Sequence, residues 1–162
     1  MATTTHTPSD LSTTPETAAG AAQFLTPVVI DLEALVVNGK QAHWHVRGGS
    51  FAGVHEQLDQ VVAHAQDYAD TAAERVVALG LPLDSRITTV AARTTLPEMP
   101  AGFHQWPDTV AQVVAQIDAA LVTVRAAVAG LDDIDLSSQD VAIEIERGLV
   151  KDRWLLQAHV AS

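Results

Sequence analysis

The sequence predicts an all-α domain, a four-helix bundle with a short helix in the crossover between its second and third long helices. Three observations support this prediction. Apolar residues recur at three- and four-residue steps along four long segments, as on the buried face of an amphipathic helix. Gly and Pro residues separate these segments, and no segment has the composition expected of a strand. One connection is much longer than the others, as in bundles that contain a crossover.

The first long helix is predicted from about residue 18 to residue 46, and Gly48 ends it. Its Leu and Val residues recur at helical spacing from Leu25 onward. Pro27 leaves two possibilities open. It lies in the first turn of a helix that is capped by Thr26, or it kinks a longer helix.

The second and third long helices flank the crossover. The second is predicted from about residue 53 to residue 79. The connection at residues 84–100 is irregular, except that ITTVAAR at Ile87–Arg93 is predicted to form a short helix. The third long helix begins at Pro107, because proline is favoured in the first turn of a helix.

The two ends of the domain are defined less sharply. Residues 1–17 are rich in Thr, Ser and Pro, and we expect them to form a flexible tail before a single domain at residues 18–162. The last long helix is predicted to run to about His159. Ser137, with Asp140 three residues later, resembles a capping box at the start of that helix.

Length and composition indicate one globular domain. A chain of 162 residues can bury a single core, and its hydrophobic content of 48% is ordinary. We expect no apolar run to span a bilayer, and the N-terminal segment lacks the basic and apolar regions of a secretory signal. Since the chain has no Cys, disulfides and thiolate metal ligands are excluded. Together these features predict a cytoplasmic protein.

The formal net charge of −11 argues against nucleic acid as a partner, because only nine residues are Lys or Arg. An acidic surface is suited to attracting cations. It would equally serve to keep the protein soluble, so the charge alone does not decide between the two.

Five residues of types that bind metal ions lie close together in the sequence: His43, His55, Asp59, Asp70 and Glu74. Any one of them alone would more often be a packing or surface residue, so the prediction depends on their joint pattern. Imidazole and carboxylate ligands together suit iron, zinc, manganese or copper.

The spacing of these residues predicts a site that is shared between two copies of the chain. His55 and Asp59 are four residues apart, as are Asp70 and Glu74, so each pair faces one way on a helix. The step from Asp59 to Asp70 turns the helix face by only about 20°, so all four side chains share one stripe. The two pairs are nevertheless separated by roughly 16 Å along the helix axis. A single ion cannot contact both pairs, but a second copy that runs antiparallel about a two-fold axis would bring one pair beside the other.

The segments that carry these residues closely resemble the Dps family, the starvation-induced mini-ferritins. The resemblance rests on KQAHWHVRGGSFAGVHEQLD at Lys40–Asp59 and DTAAERVVALG at Asp70–Gly80. The C-terminal LSSQDVAIEIERGLVKDRWLLQAHV is similar to the last helix of that family. The resemblance covers nearly the whole chain from about residue 18 onward and implies a ferritin-like four-helix bundle.

Membership of that family implies a hollow homododecamer with ferroxidase sites at its two-fold interfaces. By resemblance, His43, His55 and Asp59 come from one subunit, and Asp70 and Glu74 come from its mate. The resemblance also implies that the substrate is Fe(II), oxidised by hydrogen peroxide in preference to dioxygen. It further implies that the Fe(III) product is stored as a mineral inside the shell, and that removal of iron and peroxide protects the cell against oxidative stress.

Three further residues near the predicted site have alternative roles. Trp44 would donate electrons beside the site, as the resemblance implies, or pack at the two-fold interface. His45 points to nearly the opposite helix face from its neighbour His43, so it is a candidate ligand of an outer metal site only. His64 lies halfway between the two ligand pairs on the second helix, where we expect contact with its own mate.

Acidic residues of the last helix are candidates for an entry pore. Asp140 matches an acidic residue at the three-fold pore of the family. Asp135 and Glu144 lie near it in the sequence, and Glu144 follows Asp140 by one helical turn. Three copies of such carboxylates around an axis would attract Fe(II), although a solvated helix face is the ordinary explanation.

The chain departs from many members of the family in its terminal segments. DNA-binding relatives carry Lys- or Arg-rich tails, whereas the N-terminal tail here has no basic Lys or Arg, so binding to DNA is doubtful. Two other functions stay open. One is a metal-activated hydrolase that uses the same inter-subunit site, and the other is a structural or DNA-protecting shell whose site is inactive.

Overall fold

The computed structural model describes residues 13–161 as a four-helix bundle, which confirms the predicted fold class. In chain order, the elements are α1 (Pro15–His45), β1 (Val46–Arg47), α2 (Phe51–Ala78), α3 (Ile87–Arg93), β2 (His104–Gln105), α4 (Trp106–Leu131) and α5 (Leu136–Ala158). Helix α1 packs against α2 and α4, and α5 packs against α4 and α2. The short crossover helix α3 occupies the predicted residues and packs on α1.

Helix α1 begins before the predicted domain boundary. The side chain of Thr14 accepts a hydrogen bond from the backbone N–H of Thr17 at 3.2 Å, and Pro15 occupies the first helical position. The last three residues of the predicted tail are therefore helical, while residues 1–12 of that tail lie outside the described residues. Pro27 lies inside α1, so the alternative in which it begins the helix was wrong.

The predicted capping box at Ser137 was also wrong, because Asp135 caps α5 instead. The Asp135 carboxylate accepts from the backbone N–H of Ser138 at 3.1 Å and from the hydroxyl of the same residue. Arg75 of α2 donates to it at 2.7 Å. This ion pair ties the start of α5 to the end of α2, whereas Ser137 already lies within the helix.

A two-residue parallel pairing, which the sequence did not predict, fixes the turn between α1 and α2. Val46 pairs with His104, and Arg47 pairs with Gln105. Gly48 follows with a φ of 109°, and a Cβ atom there would lie 2.6 Å from the side-chain oxygen of Gln105. Only glycine therefore fits this turn, which sets where α2 starts relative to the end of α1.

Two of the core helices, α1 and α4, are more apolar than expected from the sequence. By length and composition, α1 and α4 each contain a window that could cross a membrane, contrary to the expectation that no run would. Within the bundle, 50% and 44% of these windows are buried. Their hydropathy is the kind that core helices of a bundle show, and residues such as Leu25, Leu35 and Ile117 are fully buried there.

A buried carboxylate anchors the crossover to the bundle. Asp31 of α1 is 2% exposed and accepts hydrogen bonds from the backbone N–H of Thr95 and from the hydroxyls of Thr94, Thr95 and Thr123. Neutral donors thus satisfy both oxygens of a charge that would otherwise be costly to bury. The chain that follows α3 is held against α1 and α4.

A second buried carboxylate joins α2 to α5. The Nδ1 atom of His64 lies 2.9 and 3.0 Å from the two oxygens of Asp152, whose side chain is 1% exposed. Burial raises the pKa of the Asp152 carboxyl, and the hydrogen bond and charge of His64 oppose that effect. His64 reaches this partner within the chain because five residues turn it by about 140° from Asp59 around the helix. Its expected contact with its own mate stays a prediction.

Removing the partner of Asp152 should destabilise the bundle. We expect His64→Ala to lower the free energy of unfolding by about 2 kcal/mol, since it leaves a buried carboxylate without its donor. Urea unfolding followed by circular dichroism measures the change. Gln60→Ala, an exposed position one turn earlier on α2, is the matched control and should stay within about 0.5 kcal/mol of the native protein. Equal effects of the two substitutions would contradict this assignment.

The cap at Asp135 should make stability depend on pH at the acidic end. Burial alone would raise the pKa of the Asp135 carboxyl, but the hydrogen bonds from Ser138 and Arg75 lower it on balance. A carboxyl whose pKa is lowered by folding contributes stability above its unfolded pKa of about 3.9 and loses it as the pH falls through the folded pKa. Melting temperatures should therefore fall between about pH 4 and pH 2.

The matched comparison is between Asp135→Asn and Asp133→Asn, because Asp133 is exposed in the same turn. The first substitution should weaken the acid dependence of the melting temperature, and the second should preserve it. Parallel acid profiles for both variants would show that the cap does not contribute.

Candidate metal centre

Two of the predicted metal ligands face each other across the turn between α1 and α2. The imidazole rings of His43 and His55 are stacked, with centroids 3.6 Å apart and planes inclined by 24°. The Nδ1 atom of each ring lies 3.0 Å from the backbone carbonyl oxygen of the other residue. Since a carbonyl oxygen can only accept a hydrogen bond, each Nδ1 carries a hydrogen atom and donates the hydrogen bond. Neither Nε2 atom has a hydrogen bond within the described residues, and Nε2 is one of the two nitrogens through which histidine binds metals.

The third predicted ligand, Asp59, lies one helical turn after His55. Its Oδ1 atom is 3.3 Å from Nδ1 of His43 and 2.5 Å from Nζ of Lys40. The hydrogen bond from Lys40 lowers the pKa of the Asp59 carboxyl, and the charges of His43, Lys40 and His55 act in the same direction. Partial desolvation of the carboxyl opposes these contributions. Asp59 is therefore a carboxylate that a cation already neutralises.

The remaining two predicted ligands do not join this group within one chain. Asp70 and Glu74 are exposed farther along α2, and Glu74 lines a shallow groove of about 420 Å³ with Ala73, Val77 and Ala78. Across residues 13–161, no three His, Asp or Glu side chains form a group that could hold a metal ion. The structure brings His43, His55 and Asp59 into contact, but one chain alone does not arrange them as a metal site. Asp70 and Glu74 lie elsewhere on the surface.

Trp44 and His45 extend from the end of α1 in different directions. The Trp44 side chain is 63% exposed and lines a groove beside the crossover. His45 is held by its own helix, with Nδ1 2.8 Å from the carbonyl oxygen of Gln41, and its ring lies 5.3 Å from that of Phe103. His45 is not brought to the His43–His55 pair.

The three pore candidates on and before α5 differ in their surroundings. Asp140 and Glu144 are exposed one turn apart on α5, as their spacing predicts. Asp135 is engaged by Arg75 and by Ser138, so its carboxylate serves the helix cap and the ion pair. Whether any of the three lines a pore stays a prediction.

Sequence reasoning missed Lys40, the one basic side chain that contacts a predicted ligand in the described part of the chain. Lys40 precedes His43 by three residues, so both lie on one face of α1. The three-residue spacing could have indicated that Lys40 lies near the predicted ligands. Lysine is not an obvious member of a metal site, however, because its charged form has no lone pair to bind a metal ion.

Comparison with known proteins places this geometry in context. A family model described as a ferritin-like domain matches residues 30–162. A DNA protection during starvation protein from Agrobacterium fabrum is 35% identical over 133 residues, which cover 82% of this chain and 80% of that protein. DNA protection during starvation protein 2 from Deinococcus radiodurans is 29% identical over 136 residues, and the match spans only 56% of its length.

Solved structures are similar over nearly the whole chain. Dps from Microbacterium arborescens, solved in a high iron form, is 66% identical with a TM-score of 0.89, and the match covers 92% of this chain and 97% of that one. Dps from Mycobacterium smegmatis, in a tetragonal form, is 27% identical, also with a TM-score of 0.89, and the match covers 94% of each chain.

The paired hydrogen bonds predict which tautomer the two histidines adopt, and this can be tested in the metal-free protein. In the metal-free protein at alkaline pH, we expect the rings of His43 and His55 to carry their protons on Nδ1, because only that nitrogen faces a carbonyl oxygen. Nitrogen-15 NMR distinguishes the two tautomers, and the single variants His43→Gln and His55→Gln assign the signals. Rings that carry the proton on Nε2 would contradict the arrangement.

Proposed function

The chain belongs to the Dps family of ferritin-like proteins, and on that premise we propose that it is a ferroxidase that oxidises Fe(II) at sites shared between subunits and stores the Fe(III) product. The proposal includes a hollow dodecameric shell in the cytoplasm, since the residues that would complete each site lie on a second copy. The observation that carries it is the stacked pair of His43 and His55. Both Nδ1 atoms contact backbone carbonyl oxygens, which leaves the Nε2 atoms available, and the Asp59 carboxylate lies 3.3 Å from Nδ1 of His43.

The chemistry of these groups fits iron as the substrate. Two neutral imidazoles and one carboxylate form a nitrogen- and oxygen-donor set of the kind that iron binds in proteins. The carbonyl oxygens of His43 and His55 fix the orientation of both rings, as hydrogen-bond partners of metal-bound histidines usually do. The anionic Asp59 favours Fe(III) over Fe(II), and so it assists the loss of an electron.

Glu74 and Asp70 are proposed to complete the site from a partner subunit. Both are exposed on the same face of α2 as Asp59, and Glu74 borders a shallow groove. A two-fold axis through the middle of α2 would place the Glu74 of one copy beside the His55 of the other. Asp70 would then bind the metal or orient His43 across the interface.

The reaction balances with either of two oxidants. Two Fe(II) ions supply two electrons to one molecule of hydrogen peroxide, which takes up two protons and becomes two molecules of water. Dioxygen is the alternative acceptor, with four electrons and four protons per molecule. The two-electron reduction of peroxide avoids hydroxyl radicals, which is the proposed basis of protection against oxidative stress.

Other residues are proposed in supporting roles. Trp44, exposed beside the site, would donate electrons or pack against the partner subunit. Asp140 and Glu144 would attract Fe(II) towards an entry pore on a three-fold axis. His45 carries no part in the proposal, because its ring packs near Phe103 instead.

A subunit-mixing experiment tests whether the site is shared. Asp59→Asn and Glu74→Gln should each abolish rapid peroxide-dependent Fe(II) oxidation in homogeneous shells. When the two variants are unfolded, mixed in equal amounts and reassembled, half of the two-fold pairs combine both chains. Each mixed pair regains one intact site, so activity should return to about one quarter of the native value.

The control is a mixture of Asp59→Asn with His55→Ala, whose lesions lie in the same half-site and therefore leave no intact site in any pair. No recovery in the Asp59→Asn and Glu74→Gln mixture would contradict the shared site. Amide hydrolysis supported by Zn(II), without Fe(II) oxidation, would instead indicate the hydrolase. Fe(II) oxidation at the native rate in the homogeneous Asp59→Asn and Glu74→Gln shells would show that the predicted site does not carry out the oxidation.

A further inference from the structure

We propose that Lys40 is a displaceable cation that holds Asp59 in the metal-free subunit and moves towards Glu98 when a divalent metal ion binds. This inference rests on the proposed function, since it concerns the same half-site. It assigns to Lys40 a positioning and selecting role rather than a role as a ligand.

The first support is the contact itself. Nζ of Lys40 lies 2.5 Å from Oδ1 of Asp59, the oxygen that also faces His43. The ammonium group therefore occupies one oxygen of the carboxylate that is proposed to bind the metal ion. The two side chains are 38% and 46% exposed, and ion pairs this open to water are weak enough to exchange.

The second support is space for the displaced side chain. Lys40 also lines a groove of about 790 Å³ between α1 and the crossover, together with Trp44, Leu96 and Glu98. Glu98 is exposed there and forms no salt bridge with any basic side chain in residues 13–161. The flexible four-carbon stem of lysine allows such a movement, and the carboxylate of Glu98 offers the ammonium a new partner.

The third support is the balance of charge. A divalent ion bound by His43, His55 and Asp59 would repel an ammonium group that stayed within hydrogen-bonding distance of the same carboxylate. Lys40 must therefore leave when the metal arrives. A monovalent ion offers Asp59 no more charge than Lys40 already supplies, whereas a divalent ion offers twice as much. Lys40 would thus favour divalent over monovalent cations at this site.

Calorimetric titration of the assembled, metal-free protein with Zn(II) tests the inference without redox chemistry. Lys40→Met keeps most of the apolar stem and removes the competing charge, so it should tighten Zn(II) binding by about fivefold, the upper effect of a partly exposed ion pair. Lys40→Arg is the matched control, which retains the charge and should bind Zn(II) within about twofold of the native protein.

Glu98→Gln tests where the ammonium group goes. In the native background, this substitution should weaken Zn(II) binding by about twofold to threefold, because displaced Lys40 loses its new partner. In the Lys40→Met background, the same substitution should have no effect. Weaker or unchanged binding in Lys40→Met would overturn the inference, as would an equal effect of Glu98→Gln in both backgrounds.

Asp59→Asn separates this inference from the function on which it rests. If Asp59→Asn removes Zn(II) binding while Lys40→Met fails to tighten it, the half-site stands and only the role of Lys40 is wrong. If Asp59→Asn leaves Zn(II) binding unchanged, the metal site itself is misplaced and both proposals fail.

Discussion

The reciprocal hydrogen bonds between His43 and His55 are the interaction on which the candidate site depends. Each imidazole binds the backbone of the other residue, so the two ends of the α1–α2 turn fix one another. The turn can close in this way because Gly48 adopts a left-handed conformation and a short parallel pairing holds β1 beside β2. One set of contacts therefore shapes the connection and occupies the Nδ1 atom of each ring.

The structure separates the contacts that hold the bundle from the groups that would bind metal. Buried carboxylates join the helices and the crossover. Hydroxyl and N–H groups surround Asp31, and His64 pairs with Asp152. The predicted ligand Asp59 is half-exposed and is paired with Lys40, which is also partly exposed. The metal-free half-site can thus rearrange its charges while the core remains unchanged, which a reaction that binds and releases ions requires.

Much of the fold could be predicted from the sequence because helical spacing of apolar residues is a strong local signal. Even the short helix at Ile87–Arg93 was predicted at its observed residues. The predictions that were wrong or missing concern helix ends and contacts between elements, which the local pattern of apolar residues does not determine. Asp135 rather than Ser137 caps α5, because a carboxylate just before the helix also reaches Arg75 on α2. The two-residue strands are too short to show any alternation.

The candidate site was predictable in part for a similar reason. Helical spacing aligns Asp59, Asp70 and Glu74 on one face of α2, and the turn places His43 against His55. The contact of Lys40 with Asp59 joins two helices, so spacing within one helix could only hint at it. The partner of His64 was not predicted either. Its position midway along α2 placed it near a possible two-fold axis, but its side chain lies on the face of α2 that packs against Asp152 of α5.

The length of α2 explains why the proposed site requires assembly. A continuous helix from Phe51 to Ala78 keeps His55 and Glu74 far apart, and no side-chain rotation closes a gap of more than 20 Å. The helix cannot bend to bring them together without breaking the packing of Leu58, Val61 and Ala65 in the core. The rigidity that makes each subunit stable therefore leaves its half-site incomplete. Under the proposed function, oxidation would then begin only where two subunits meet.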